Sequence, residues 1–157
     1  MPPKLLFDLD EINLDETVYG PEQIRARNSQ RFEMEFLDRI IHYDVEGQII
    51  VGERVVRADE FWVRGHFPER AVFPGVLQLE SAGQLCSFFY AEIFDAKKVL
   101  GFAACSDVKF RGTIVPGDRI VIISKAIDMR PRIAKFHTQG LVNGELAFQA
   151  TIVGMPL

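Results

Sequence analysis

The sequence predicts an α+β domain in which a curled antiparallel sheet of five to six strands wraps one long buried helix. Three observations carry this. Residues 75–94, GVLQLESAGQLCSFFYAEIF, read as one helix that is apolar on almost every face. Such a helix must be covered on most sides. Four β-rich runs then follow in succession, at 99–110, 118–130, 132–142 and 144–154. There is no β-α-β alternation to feed a parallel sheet, so an antiparallel sheet curled around the helix is the economical solution.

The bulk composition fits a single globular domain. The chain has 157 residues, of which 48% are hydrophobic and 25% charged. That length buries a core without disulfides or metals. The formal net charge is −4, so the basic footprint of a nucleic-acid binder is missing. No apolar run approaches the roughly 18–20 residues of a membrane span. The N-terminus, MPPKLLFDLDEINLDE, turns acidic at once and lacks a signal-peptide core. A chain mature from Met1 and cytosolic is expected. Cys86 and Cys105 form no C-x-x-C and no zinc-like cluster. Both read as small buried hydrophobes, and a disulfide between them would contradict the cytosol.

The elements follow in order. Residues 1–20 carry Asp8, Asp10, Glu11, Asp15 and Glu16 among scattered apolar residues. They read as an acidic arm, packed loosely or against a partner subunit, ahead of one domain over 21–157. Pro21 suits the first position of a short helix over 21–27. Phe32, Met34 and Phe36 alternate with Glu33 and Glu35, the period of a half-buried strand. Asp44 to Gly47 is a turn. Gln48 to Val63, with IIVGERVV and EFWV, is β-rich. Residues 65–75, GHFPERAVFPG, hold two prolines and two glycines, which excludes a regular helix or a central strand. Pro116-Gly117 fits a type II turn, and Asn143-Gly144 signals a hairpin.

The irregular segment and the first turns of the helix carry the chemistry. His66 sits between a strand-like run and a buried helix, where scaffolds present functional side chains; it also fits an ordinary loop histidine. Glu80 places a carboxylate in an all-apolar helix, which is costly unless it is paired or protonated. A carboxyl kept from water holds its proton more tightly, as a general acid near neutral pH must. The bland alternative is a helix face that reaches solvent or a subunit interface. Gly75 opens the helix, where free N–H groups and the positive end of the dipole stabilise a developing oxyanion; a plain Pro-Gly helix entry is the alternative. Base, acid and oxyanion donor are the three parts needed to eliminate water from a β-hydroxyacyl thioester.

The stretch GHFPERAVFPGVLQLESAGQ resembles the motif of the bacterial β-hydroxyacyl-acyl-carrier-protein dehydratases of the FabZ type. In that family the pattern is approximately G-H-F-P-G-x-P-x-M-P-G-V-L-x-x-E-x-x-x-Q. The fourteen-residue step from His66 to Glu80 matches it. Val108-Lys109-Phe110-Arg111 and Val115-Pro116-Gly117-Asp118 resemble the family's K-F-R and V-P-G-D segments. Asp38-Arg39 resembles the D-R at the end of its first strand. The similarity spans roughly residues 21–155.

The resemblance implies the hot-dog fold and a site shared by two subunits. His66 would be the base and Glu80 the acid contributed across the dimer interface. Gly75 would donate its amide to the thioester carbonyl, Gln84 would hold Glu80 or a water, and Phe67 would belong to the substrate-binding set. It also implies an acyl carrier protein as partner, substrate carried on phosphopantetheine, no metal or diffusible cofactor, and a homodimer or trimer of dimers. The related isomerase branch has Asp at the place of Glu80, so plain dehydration is favoured. Glu69, Ala71 and Phe73 stand where the family has Gly, Pro and Met, and the segment Gln30–Arg39 also departs from the family. These changes spare the catalytic positions and bear on acyl length and tunnel shape.

Other residues carry weaker signals. His42 and His137 lie in strand-like stretches as surface or edge histidines. Ser81 lacks a G-x-S-x-G elbow. Trp62, Phe61, Phe88 and Phe89 read as core or interface, with tunnel lining as the alternative. Lys109 and Arg111 are candidate contacts for an acidic carrier or its phosphate, against a plain solvated surface. Two other functions compete on the same fold: an acyl thioesterase using Glu80 on water, and a non-catalytic acyl-binding or assembly subunit.

Overall fold

In a computed structural model, which describes residues 3–157, the chain forms two helices and six strands. In order they are α1 (Pro21–Arg27), β1 (Arg39–Asp44), β2 (Ile49–Val55), α2 (Gly75–Phe94), β3 (Leu100–Phe110), β4 (Arg119–Arg130), β5 (Ile133–Val142) and β6 (Glu145–Pro156). The strands make one sheet in the order β1-β2-β4-β5-β6-β3, with every pair antiparallel. The expected layout of one helix within a curled antiparallel sheet is therefore observed.

Helix α2 lies where its composition requires. Pro74 opens it, and Asp95 ends it in the left-handed region at φ 46°. It packs on β2, β3, β4, β5 and β6. Ala82, Leu85, Phe88 and Phe89 are fully buried in the main core with Ile50, Ile122, Phe136 and Phe148. Phe89 meets Phe136 edge-on at 6.1 Å, which supplies geometry as well as area. The turns follow their residues. Asn143 and Gly144 both have positive φ, and Val142 pairs with Glu145 across them. Gly117 has φ 99°, and the Asp118 amide donates to Val115 O at 3.1 Å.

Residues 3–14 correct the expectation of a loosely packed arm. Leu5, Leu6, Phe7, Leu9, Ile12 and Leu14 pack on a second apolar cluster, Ile41, Ile49, Val51, Val121, Ile123 and Leu141, on the outer face of the sheet. Gln139 accepts from the Leu6 amide at 2.8 Å and donates to Lys4 O at 3.0 Å. Arg39 and Arg119 both donate to Leu14 O, at 2.5 and 2.7 Å, while pairing with the buried Glu53. Without the arm, this sheet face would leave a large apolar patch in water.

Several other expectations are also corrected. Residues 32–36 are not a strand. Phe32–Met34 is a 3-10 turn, with Phe32 at φ 58° and 86% exposed. The side-chain amide of Gln84, not a neighbouring strand, takes the Phe36 N–H and Met34 O. Arg39 accordingly begins β1, with Asp38 just before it, instead of the pair ending a strand. Residues 60–63 are also not strand. The Val63, Gly65 and His66 amides fold back onto Glu60 and Trp62 carbonyls, while Trp62 plugs into the core. Cys86 is buried, and burial pushes its thiol up to about 12, whereas Cys105 is exposed on β3. No helix of the described residues is long and apolar enough to cross a membrane.

Candidate active site

His66 is held by a tight loop. Its amide donates to Trp62 O at 2.9 Å, and its carbonyl accepts from Val72 N at 2.8 Å. Phe67 and Arg70 exchange two backbone bonds, and Phe73 N donates to Ile114 O at 2.8 Å. The imidazole Nδ1 lies 2.7 Å from Val72 O. A carbonyl only accepts, so Nδ1 carries a proton, and in the neutral imidazole Nε2 keeps its lone pair. The loop thus presents His66 in the tautomer of a base. The Phe67 ring stacks on the imidazole at 4.1 Å and is itself 54% exposed.

Gly75 shares the cleft of about 540 Å³ that His66 lines, along with Phe110, Arg111 and Thr113. Leu77 and Gln78 amides bond Pro74 O, but those of Gly75 and Val76 have no acceptor among the described residues. Two donors at the positive end of a 20-residue helix therefore stand beside the histidine. A Cβ on Gly75 would lie 2.7 Å from the Phe110 ring, so a glycine is needed for this close approach.

Glu80 faces elsewhere. It lies five residues after Gly75, so it is turned by about 140° around the helix. It lines a slot of about 170 Å³ with Gln30, Gly83, Cys86, Leu100 and Phe102. In this single chain it is half-buried, not fully buried. Gln84 fixes it: Oε1 of Gln84 accepts the Phe36 N–H at 2.9 Å, and Nε2 donates to Glu80 at 2.9 Å and to Met34 O at 2.7 Å. Gln30 adds a longer bond of 3.5 Å.

One chain therefore brings His66 together with Gly75, Phe67 and Arg111, and brings Glu80 together with Gln84, but it does not place the two halves in a common cleft. Arg111 lies at the mouth of the histidine cleft and bonds Gln149 at 3.2 and 3.3 Å. Lys109 is exposed on β3 and does not line that cleft. Ser81 donates to Leu77 O at 2.8 Å inside the helix, which leaves it no nucleophilic role. Among the described residues no three His, Cys, Asp or Glu side chains gather as a metal site requires. Sequence reasoning missed Gln30 and the Val72 carbonyl. The first stood in the divergent segment, and a backbone acceptor has no signal in sequence.

A FabA-like domain matches residues 28–151, which is most of the chain and includes every site residue above. The chain belongs to the FabA-like family. Within it, a 3-hydroxyacyl-[acyl-carrier-protein] dehydratase FabZ from Tolumonas auensis is 33% identical over 128 residues, covering 78% of this chain and 85% of that protein. Among solved structures, the dehydratase heterocomplex ApeI:P from Xenorhabdus doucetiae aligns with a TM-score of 0.71 at 11% identity, over 85% of this chain and 90% of that one. The PaaI protein of the E. coli phenylacetic acid degradation operon aligns with a TM-score of 0.57 at 13% identity, over 74% and 80%. At those identities the structural likeness shows the hot-dog fold, which the dehydratase and PaaI proteins share.

Proposed function

We propose that this FabA-like chain dehydrates (3R)-3-hydroxyacyl-[acyl-carrier-protein] to the trans-2-enoyl thioester, in a site shared by two copies of the chain. The observation that carries this is the histidine cleft, where an imidazole with a free Nε2 stands beside two unpaired helix-terminal amides. The Tolumonas relative supports the substrate. In the reaction His66 Nε2 removes the α-proton. The thioester oxygen gains charge against the Gly75 and Val76 amides. Glu80 delivers a proton to the β-hydroxyl, which leaves as water. His66 ends protonated and Glu80 ionised, and both return to the start by exchanging a proton with solvent.

Separation of His66 from Glu80 within one chain supports a shared site. Strand β3 is one of the two sheet edges, exposed along most of its length, and carries Phe102 and Phe110 half in water. Such an edge is a template for a second strand. A second copy added there would bring its own Glu80 slot to this His66 cleft. The acyl carrier protein is the partner, phosphopantetheine brings the substrate, no diffusible cofactor enters, and the cytoplasm is the compartment.

Crotonyl and 3-hydroxybutyryl thioesters test this reading. Enoyl absorbance should interconvert without thiol release. His66→Ala and Glu80→Gln should each lose about 10²-fold or more in rate, the scale of a positioned acid or base. Thiol release in place of interconversion would make the chain a thioesterase, and near-wild-type turnover in both variants would remove the assignment.

A further inference from the structure

Arg54, on β2, is among the largest of the fully buried side chains, with 1% of its surface exposed. An isolated guanidinium is expensive to bury. It pairs with Glu60, which also accepts from the Trp62 indole at 3.3 Å and the Arg57 amide at 2.6 Å. Among the described residues its Nε has no hydrogen-bond partner. A residue chosen only for filling would be aliphatic, so its placement calls for another reason.

The guanidinium carbon sits 4.4 Å from the Phe36 ring centroid and 4.8 Å from that of Phe73. Those two aromatics lead to the two halves of the site. Phe73 directly follows Val72, whose carbonyl orients the His66 imidazole, and its own carbonyl accepts from Gln78 at 3.1 Å. Phe36 gives its amide to Gln84, and that bond aims the Gln84 Nε2 at Glu80. The rings also touch each other at 6.3 Å, and Trp62 closes on Phe73 at 5.3 Å. The rings are inclined at 64° to each other, and a delocalised guanidinium whose carbon lies over both faces bridges them in a way that a Lys ammonium, a compact point charge, does not.

We infer that Arg54 is a positioning residue for both His66 and Glu80, acting through Phe73–Val72 and through Phe36–Gln84. This deepens the dehydratase reading and rests on it. It makes no contact with substrate. Its role is to keep two rings in place so that one carbonyl and one side-chain amide stay aimed. In a dimer with shared sites, the His66 and Glu80 that it braces would serve opposite sites.

The test uses the full chain with two variants and two readouts. Arg54→Met combined with Glu60→Gln removes the buried pair without leaving a lone charge. Such replacements commonly leave stability unchanged or raised. Arg54→Lys keeps a cation for Glu60 but loses the flat stacking surface. On an N-acetylcysteamine crotonyl thioester, kcat should fall about 10–100-fold, the scale of a small misplacement, with KM within about twofold. The ¹⁵N spectrum of the imidazoles should show wild-type His66 as a single Nδ1–H tautomer and both variants as a mixture. Wild-type kcat, or an unchanged tautomer with any loss of kcat, in the variant that folds would overturn the inference. Should wild-type protein itself fail to hydrate the thioester, the dehydratase reading falls, while the tautomer comparison still decides whether Arg54 positions His66.

Discussion

Gly75→Ala separates packing from catalysis at the helix entry. The new Cβ would lie 2.7, 2.9 and 3.0 Å from three atoms of the Phe110 ring. Ordinary carbon contacts begin near 3.5 Å, so the ring must retreat by roughly 1 Å. It has somewhere to go, because Phe110 is 50% exposed. Losing the buried half of a phenylalanine costs about 1 kcal/mol. Replacing glycine by alanine in a helix returns up to about 1 kcal/mol. The two nearly cancel, so the melting temperature should move by no more than about 2–4 °C for a chain of this size. Activity should not cancel. The methyl group and the displaced ring crowd the Gly75 amide, and losing one oxyanion donor costs about 10²–10³-fold. Thermal melts paired with crotonyl thioester kinetics should therefore show a near-native Tm with kcat lower by about 10²-fold. A variant that melts like wild type and turns over within about twofold would refute the claim that the added methyl and the displaced ring block the Gly75 amide. A Tm loss beyond about 8 °C would show that Phe110 cannot move as its exposure implies.

Two further outcomes are expected. Reversing the charge of Arg111 should raise KM for carrier-bound substrate and spare a truncated thioester, and reversing Lys109, which does not line the His66 cleft, should do less; equal effects on both substrates would exclude carrier or phosphate recognition. Glu35 is held below its usual range chiefly by hydrogen bonds from Arg25, at 2.7 and 3.0 Å. A lowered folded-state value stabilises above the ordinary carboxylate range, and that contribution is lost as pH falls through the folded value. Arg25→Ala should therefore lower Tm at neutral pH, and the difference should shrink as pH falls through the ordinary carboxylate range and close below the lowered folded value; a constant difference across pH would refute this.

The parts of the fold legible in sequence are those set by local periodicity and turn chemistry. Helix α2 was readable to the residue because Pro74 and Asp95 bracket twenty positions too apolar for any exposed element. The hairpin at Asn143-Gly144 was readable because only certain residues tolerate positive φ. Two segments misled. Phe32 to Phe36 alternate like a strand, yet the Gln84 side chain satisfies their backbone groups from 48 and 50 residues away. Residues 60–63 are as β-prone as any, yet Glu60 and Trp62 are spent on Arg54 and the core. Periodicity reports which faces are apolar, not which partner takes a given N–H. The arm misled similarly, because the apolar patch that holds it is assembled from β1, β2, β4 and β5.

By itself the sequence determined the chemical cast: a histidine in a rigid loop, a glycine at a helix entry, and a carboxylate fourteen residues on, in the spacing of the dehydratase motif. These are facts of order and residue type, and order is what a sequence records. Only the tertiary structure decided how they are disposed. It gave His66 its tautomer through the Val72 carbonyl, gave Glu80 its orientation through Gln84, and turned the two onto different faces of one chain. The physical reason is that a hydrogen bond between distant residues depends on where the sheet carries each of them, and no local pattern contains that distance.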